Sequence, residues 1–455
     1  MKQIFKVLTD NKDFYPRLYK IAIPIIIDFL ISSLVNLLDV FMVGKLGEPA
    51  LAAVGIGSRF FFLSILLMVG IGSGAAVFTA QYWGKKDIKK IKPILGISLT
   101  LTTIASIIFS LISLILPAEI MGLFTNDPIV INLGIDYIRI LGIGQIFFGI
   151  SISFFSILTS TENVKFTMSS TALALIFDTI ISYLLIFGIG IFPELGVIGV
   201  AIGTFFGRFF QLILILFFTY FFKLPAAGKL KELFSFSWSL FRKYLDKAIP
   251  VILQHVIWGL GSIMFVYVYA QLSTESIAAY QAAATIEEIC LLFFTGIGIS
   301  ASIMIGNRIG ANEEKKSINY SEKFLVIIYI LSFIIMLILL LVKDIVAGLF
   351  NVSPLSKSYI SSIIFVLSIA IWGKASNILF YTGILKGGGD TRFCMILDIG
   401  GMWLIGVPIA FIAAFTFNFP IHIIIALISI DEFIKMIIGY KRFLSRKWIH
   451  NLTEK

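Results

Sequence analysis

The 455-residue sequence predicts an all-α polytopic membrane protein, with twelve transmembrane helices in two pseudo-symmetric six-helix lobes. Three observations predict it. Hydrophobic residues make up 58% of the chain and charged ones 14%, with a mean hydropathy of +1.00, a balance foreign to soluble domains. Apolar runs of the roughly 20 residues that a bilayer crossing needs recur along the chain. The chain also repeats itself at an offset of 226 residues.

The spans run over about 20–44, 50–82, 93–117, 130–158, 165–191, 195–222, 245–270, 277–308, 320–343, 358–386, 392–416 and 420–440. Several exceed the length of a crossing, which predicts tilt or extension beyond the bilayer. The second, with Gly70, Gly72, Gly74 and Gly84, and the eighth are the longest. The first is apolar throughout except for a polar stripe. Asp28, Ser32, Asn36 and Asp39 are spaced 4, 4 and 3 apart and share one helix face. A charge on a spanning helix costs about 2.5–3.5 kcal/mol, so the stripe is expected to face protein or a wet cavity. Asp39 reads as part of a coupling-ion or substrate site. Asp28 reads equally as site or as structural ion pair.

Between the sixth and seventh spans, Lys223–Lys247 carries bases and aromatics and reads as a cytoplasmic linker, with the character of a helix lying in the interface. The expected domains are therefore a lobe over 1–222, a linker over 223–247 and a lobe over 248–455. The first twenty residues are basic and polar and contain no cleavable signal of their own.

The repeat carries the architecture. Ile23-Pro24 falls on Ile249-Pro250, Ala52-Ala53 on Ala278-Ala279, Gly70 and Gly72 on Gly296 and Gly298, and Gly84 on Gly310. Gly122-Leu-Phe with Pro128 falls on Gly348-Leu-Phe with Pro354. With one residue more, Lys165-Phe-Thr-Met meets Arg392-Phe-Cys-Met. Glycine and proline mark particular backbone requirements, so their coincidence at one offset is informative. Six spans per copy predict a two-fold axis along the membrane normal, with the transport cavity between the lobes.

The net charge of +10 does not predict nucleic-acid binding, because the bases lie in short loops. Of 36 lysines and arginines, 28 sit in loops on the side of the N-terminus and three in the opposite loops. That asymmetry predicts cytoplasmic termini in a cell membrane. Cys290 and Cys394 read as small packed hydrophobes and His255 as a buried structural histidine. Lys386-Gly-Gly-Gly-Asp-Thr-Arg392 lacks the spacing of a phosphate loop and reads as a tight turn. No catalytic constellation, nucleotide fingerprint or metal-ligand spacing stands out, so an enzyme is not expected and no cofactor is called for.

The acids well inside spans are Asp28, Asp39, Asp178, Glu287, Glu288 and Asp398; the bases are Arg59, Arg208 and Lys374. If each base neutralises one acid, three acids are left to attract cations or protons. Asp136 with Arg139, and Asp431 and Glu432 with Lys435, are spaced for local structural pairing. Lys374 is expected to pair with Glu287, Glu288 or Asp398, as an internal counter-ion in the second lobe. That leaves Asp39 and Asp178 as the coupling site.

These residues resemble the multidrug and toxic compound extrusion (MATE) family. The resemblance rests on Asn36-Leu-Leu-Asp39-Val-Phe-Met-Val-Gly44, Glu194-Leu-Gly-Val-Ile-Gly-Val-Ala, Ile286-Glu287 with Gly296 and Gly298, Gly388-Gly-Asp-Thr-Arg392, Trp403-Leu-Ile-Gly-Val-Pro408 and Arg442-Phe-Leu-Ser-Arg-Lys-Trp448. It covers nearly the whole chain. It implies two six-helix lobes forming a V, alternating access, and export of drugs against sodium or protons. It also implies a first-lobe cation site of Asp39, Asn36, Asp178 and Thr204, with Asp39 and Asp178 as metal ligands if sodium is the coupling ion. Where the family has an Asn four residues before Asp178, this chain has Ala174. Gln254, His255 and Trp258 stand where some members place a glutamate in span seven, and Glu287 could replace it.

The function expected is secondary active efflux of hydrophobic, cationic compounds by a monomer in the bilayer. Asp28, Glu287, Glu288 and Asp398 are candidates for the substrate cavity. A lipid-linked oligosaccharide flippase of the same superfamily is the alternative, but its phosphate-bearing substrate calls for basic cavity residues, and acids outnumber bases here.

Overall fold

The computed structural model describes residues 13–350 and 352–454. Most of the basic leader, residues 1–12, lies outside the described residues. Twelve long helices occupy nearly all of the rest: α1 Phe14–Gly44, α2 Glu48–Gly84, α3 Ile88–Ile115, α4 Pro128–Ser160, α5 Val164–Phe187, α6 Val197–Phe221, α7 Trp238–Leu272, α8 Thr274–Gly310, α9 Glu314–Leu349, α10 Pro354–Gly387, α11 Thr391–Thr416 and α12 Ile421–Leu444. Among the described residues, α1 to α11 are each long and apolar enough to cross a membrane. The 24 residues of α12 also suffice in length, at about 1.5 Å per residue. Its apolar run is broken by Asp431, Glu432 and Lys435, which it buries with one another.

The helices begin earlier than hydropathy alone predicts at α1, which starts at Phe14, and at α7, which starts at Trp238. Apolarity marks where a helix meets lipid, whereas the backbone continues until a breaker stops it. The stretch 223–247 accordingly corrects the expectation of one interfacial helix. It contains a four-residue helix, Leu230–Leu233, and from Trp238 onward it is already α7.

The chain forms two compact units. One comprises residues 1–26, 80–86 and 253–455; the other comprises 27–79 and 87–252. The boundaries inside α1 and α7, after Ile26 and after Ile252, are 226 residues apart, so the repeat reappears in how the units divide.

The places where the repeat slips have a structural cause. In the first copy α4 and α5 are 33 and 24 residues long and are α-helical throughout. Their counterparts α10 and α11 are 34 and 26 residues long. Each extra residue coincides with a π-helical stretch: Ile378–Ile384 in α10, and Met402–Gly406 and Ile412–Thr416 in α11. A π stretch widens the turn to i→i+5 bonding and so absorbs an added residue without ending the helix.

Within the first-described unit, the ends of α2 and α8 cross through matching glycines. A Cβ at Gly84 would come 1.9 Å from the Asn307 carbonyl oxygen, and one at Gly310 would come 1.9 Å from that of Gln81. Gln81 and Asn307 are themselves 226 residues apart, so the contact is self-complementary. The chain's C-terminal segment seals this end. Gln81 Nε2 donates to the His450 carbonyl at 3.0 Å, and its Oε1 accepts from the Leu452 amide at 2.7 Å. The Gly388–Asp390 turn, with Gly389 at φ +84°, lies beneath the fully buried Trp448 and accepts the His450 amide at 2.8 Å. Arg442 Nε donates to Asp390 Oδ2 at 2.7 Å. Burial works against ionisation of Asp390, but the His450 ring and the Arg442 guanidinium outweigh it and hold the carboxyl below its ordinary range.

Candidate functional site

Two clusters of charged side chains lie inside the helices, one in each unit. In the unit of residues 27–79 and 87–252, Asp39 on α1 and Arg208 on α6 each lie near Asp178 on α5 and Tyr137 on α4. Asp178 is held closely against α6 by a glycine row. Gly199, Gly203 and Gly207 recur every fourth residue and face α5. A Cβ at Gly203 would meet Ser182 Oγ at 2.0 Å, and one at Gly207 would meet Asp178 Cβ at 2.7 Å. Small residues at this spacing let two helices in a membrane approach through their backbones.

Asp178 is buried, and its Oδ1 accepts a hydrogen bond from Ser182 Oγ at 3.0 Å. Thr204, on the facing helix, lies beside the same carboxylate. Asp39 Oδ1 is buried and makes no hydrogen bond. Among the described residues, neither Asp39 nor Asp178 enters an ion pair. Tyr137, whose hydroxyl is 3.4 Å from Ser58 Oγ, supplies a polar wall beside the acids. A carboxylate pair dressed with hydroxyl oxygens and left without a fixed partner is suited to a small cation or proton.

The other stripe residues are placed less centrally. Asp28 is half-buried beside Thr171, which accepts from Gln211 Nε2 at 3.4 Å. Ser32 spends its hydroxyl on the Asp28 carbonyl of its own helix, at 2.8 Å. Asn36 is exposed, and Ala174 is buried where an amide would have offered an oxygen. Arg59, counted as a base inside a span, is exposed and lies outside the cluster.

The second cluster belongs to the unit containing residues 253–455 and is cross-linked by lysines. Lys374 on α10 forms an ion pair with Glu287 on α8. Lys435 on α12 lies 2.9 Å from Asp431, 3.1 Å from Glu432 and 3.8 Å from Asp398. Asn377 Nδ2 donates to Glu432 Oε2 at 2.7 Å, and Gln254 Nε2 donates to Asp398 Oδ2 at 3.0 Å. Gln254 on α7 therefore satisfies one oxygen of an α11 acid, whose counter-charge is Lys435. The local pairing expected for Asp431, Glu432 and Lys435 reaches further than one helix, to Asp398. Glu288 is exposed on α8, apart from this network. His255 is half-buried and has an interaction partner. Both cysteines are free, Cys394 buried and Cys290 half-buried.

Sequence reasoning singled out Asp39, Asp178 and Thr204 but assigned no role to Tyr137, Ser182 or the α6 glycines. The glycine row was legible as a four-residue period. The place of Tyr137 had no signal, because a lone tyrosine in an apolar span has no pattern.

Comparison with known proteins identifies the fold and the family. The MatE family model matches residues 24–184 and again residues 250–412, once in each copy of the repeat. The uncharacterized transporter YisQ of Bacillus subtilis is 25% identical over 439 residues, covering 95% of this chain and 94% of its own. A probable multidrug resistance protein NorM of Bacillus licheniformis is 26% identical over 418 residues, 86% of this chain and 87% of its own. A solved MATE structure in complex with MaL6 superposes with a TM-score of 0.87 at 19% identity, over 98% of both chains.

Proposed function

The chain belongs to the MatE family of multi-pass membrane transporters and is not an enzyme, and from that premise we propose secondary active efflux of hydrophobic, cationic compounds, driven by entry of sodium or protons. The observation that carries the reading is the Asp39–Asp178 pair, with Asp178 buried against hydroxyls, Asp39 half-buried, and neither in an ion pair among the described residues. A cation bound there supplies charge that no ion pair provides. A cationic drug and the coupling ion then compete for the same negative charge. Coupling follows if the two states of an alternating-access cycle differ in affinity for the ion. The probable multidrug resistance names of relatives such as NorM agree with a drug-like cargo. The loop bases support cytoplasmic termini in the cell membrane. The lysine-sealed cluster supports assigning the exchange to the first copy alone.

Proteoliposomes loaded with a fluorescent cation test the reading. A sodium gradient and a pH gradient are imposed separately, on wild type and on Asp39→Asn. One of the two is expected to drive efflux in wild type and neither in the variant. Efflux that ignores both gradients in wild type overturns the proposal.

A further inference from the structure

Arg208 stands one turn beyond Thr204 on α6, next to Gly207, whose backbone rests on Asp178. Its guanidinium lies 5.5 Å from the centre of the Phe148 ring. Nη1 is buried without a hydrogen bond, and among the described residues Arg208 forms no ion pair. Arginine does not lose its proton in proteins, so the group brings a permanent positive charge into this lobe. A half-buried guanidinium with one nitrogen shut away from water and unpaired is costly and is not explained by packing alone. The groups whose charge it feels are Asp178 and Tyr137, and Tyr137 in turn feels Asp39. Among the other charges of the unit, Asp28 lies beside Thr171, Lys45 lies over the Phe187 ring at 5.6 Å, and Arg59, Asp136 and Arg139 are exposed.

The charge count is simple. Asp39 and Asp178 contribute two negative charges when ionised, and Arg208 contributes one positive charge, so the empty site carries one net negative charge. We propose that Arg208 sets the ion stoichiometry of the cycle. It permanently supplies one of the two positive charges the acid pair requires, and a single monovalent coupling cation completes neutrality. A monovalent cationic substrate then exchanges with one coupling cation; without the arginine the same site takes two, and the bulkier substrate, occupying the space they share, displaces both and leaves the loaded variant one charge negative. Arg208 is a positioning residue, acting through the carboxylates rather than by touching the cargo. The inference rests on the exporter reading above.

The test uses the full chain in proteoliposomes with rhodamine 123, a monovalent cation, and the membrane potential clamped at zero. The steady-state ratio of probe across the membrane is measured against the ratio of the driving ion. One-for-one exchange gives a logarithmic slope of about 1, and two-for-one gives about 2. Wild type and Arg208→Lys are expected at 1, and Arg208→Gln at 2. A wild-type slope of 2, or an unchanged slope in Arg208→Gln, overturns the proposal. Where Arg208→Gln does not accumulate probe, the ions released on adding rhodamine 123 to the purified variant decide it: two are expected, against one for wild type, and equal release overturns it. The two readings fail separately. Wild-type accumulation indifferent to both gradients, and equal in Asp39→Asn, sinks the exporter reading. A gradient-driven wild type whose slope does not respond at Arg208 sinks only the arginine's role.

Discussion

The two copies of the repeat place charge and phenylalanine at exchanged positions. At the 226-residue offset Asp39 corresponds to Phe265, whereas Phe61 and Phe148 correspond to Glu287 and Lys374. In the first copy Phe148 lies under the Arg208 guanidinium, and the acids beside it have no ion pair among the described residues. In the second copy Lys374 is locked to Glu287, and Lys435 gathers Asp431, Glu432 and Asp398. A carboxylate with a tethered ammonium has no need of a mobile ion, while one lined by hydroxyls does. The difference teaches that one duplicated scaffold can hold acids free of ion pairs in one copy and a lysine-bridged network in the other, depending on whether lysine is built in.

The backbone differs in the same direction. The helices carrying Asp178 and Tyr137 are regular, whereas α10 and α11 contain three π-helical stretches, beginning just after Asn377, Gly401 and Phe411. The added residues coincide with the copy in which the charges are cross-linked.

Experiments can break this comparison in order of size. The largest effect is expected on transport. Asp39→Asn removes one of the unpaired carboxylates and abolishes gradient dependence in the proteoliposome assay, while the folded yield stays close to wild type. Next is the sealed pair of the second copy. Lys374→Ala leaves the half-buried Glu287 uncompensated, and is expected to lower stability by about 1–3 kcal/mol, read as a fall in the thermal midpoint in detergent. Replacing both partners by the residues of the first copy, Glu287→Phe with Lys374→Phe, should recover most of that loss. A double variant as unstable as the single one would mean that the pair does more than neutralise itself.

A smaller effect belongs to the helix contact that holds Asp178. Gly207→Ala places a Cβ 2.7 Å from that of Asp178, so α5 and α6 must separate. The expected loss is about 1–3 kcal/mol, with weakened ion coupling in the proteoliposome assay. The smallest concerns the C-terminal segment. Asp390 is held below its ordinary range, so its contribution to docking is full above the unfolded value of 3.8 and is lost only as pH falls through the lower folded value. Hydrogen exchange at Trp448 and His450 should be insensitive to Asp390 protonation from neutral pH down to about 4, and should quicken below that. Quickening already at pH 5 would point to another group.

How much was legible follows from the kind of signal each feature leaves. The twelve spans, the duplication and the acids within spans are all visible as composition or spacing. So was the preference of Lys374 for an acid of α8 or α11, though not which one. The span ends at Phe14 and Trp238 were missed because hydropathy reports the solvent of a helix and not its backbone. The convergence of Tyr137, Arg208 and Asp178 was also missed, because it depends on how three helices are rotated about their axes.

The sequence alone determined that this chain crosses a membrane twelve times, that it does so in two related halves, and that its interior carries more acid than base. These follow from transfer energies and from glycine and proline, which act locally and leave a periodic record. Only the tertiary structure decided which acids are neutralised by lysine and which are not. Pairing is a matter of a few ångströms between side chains far apart in the chain, and no spacing rule records that distance.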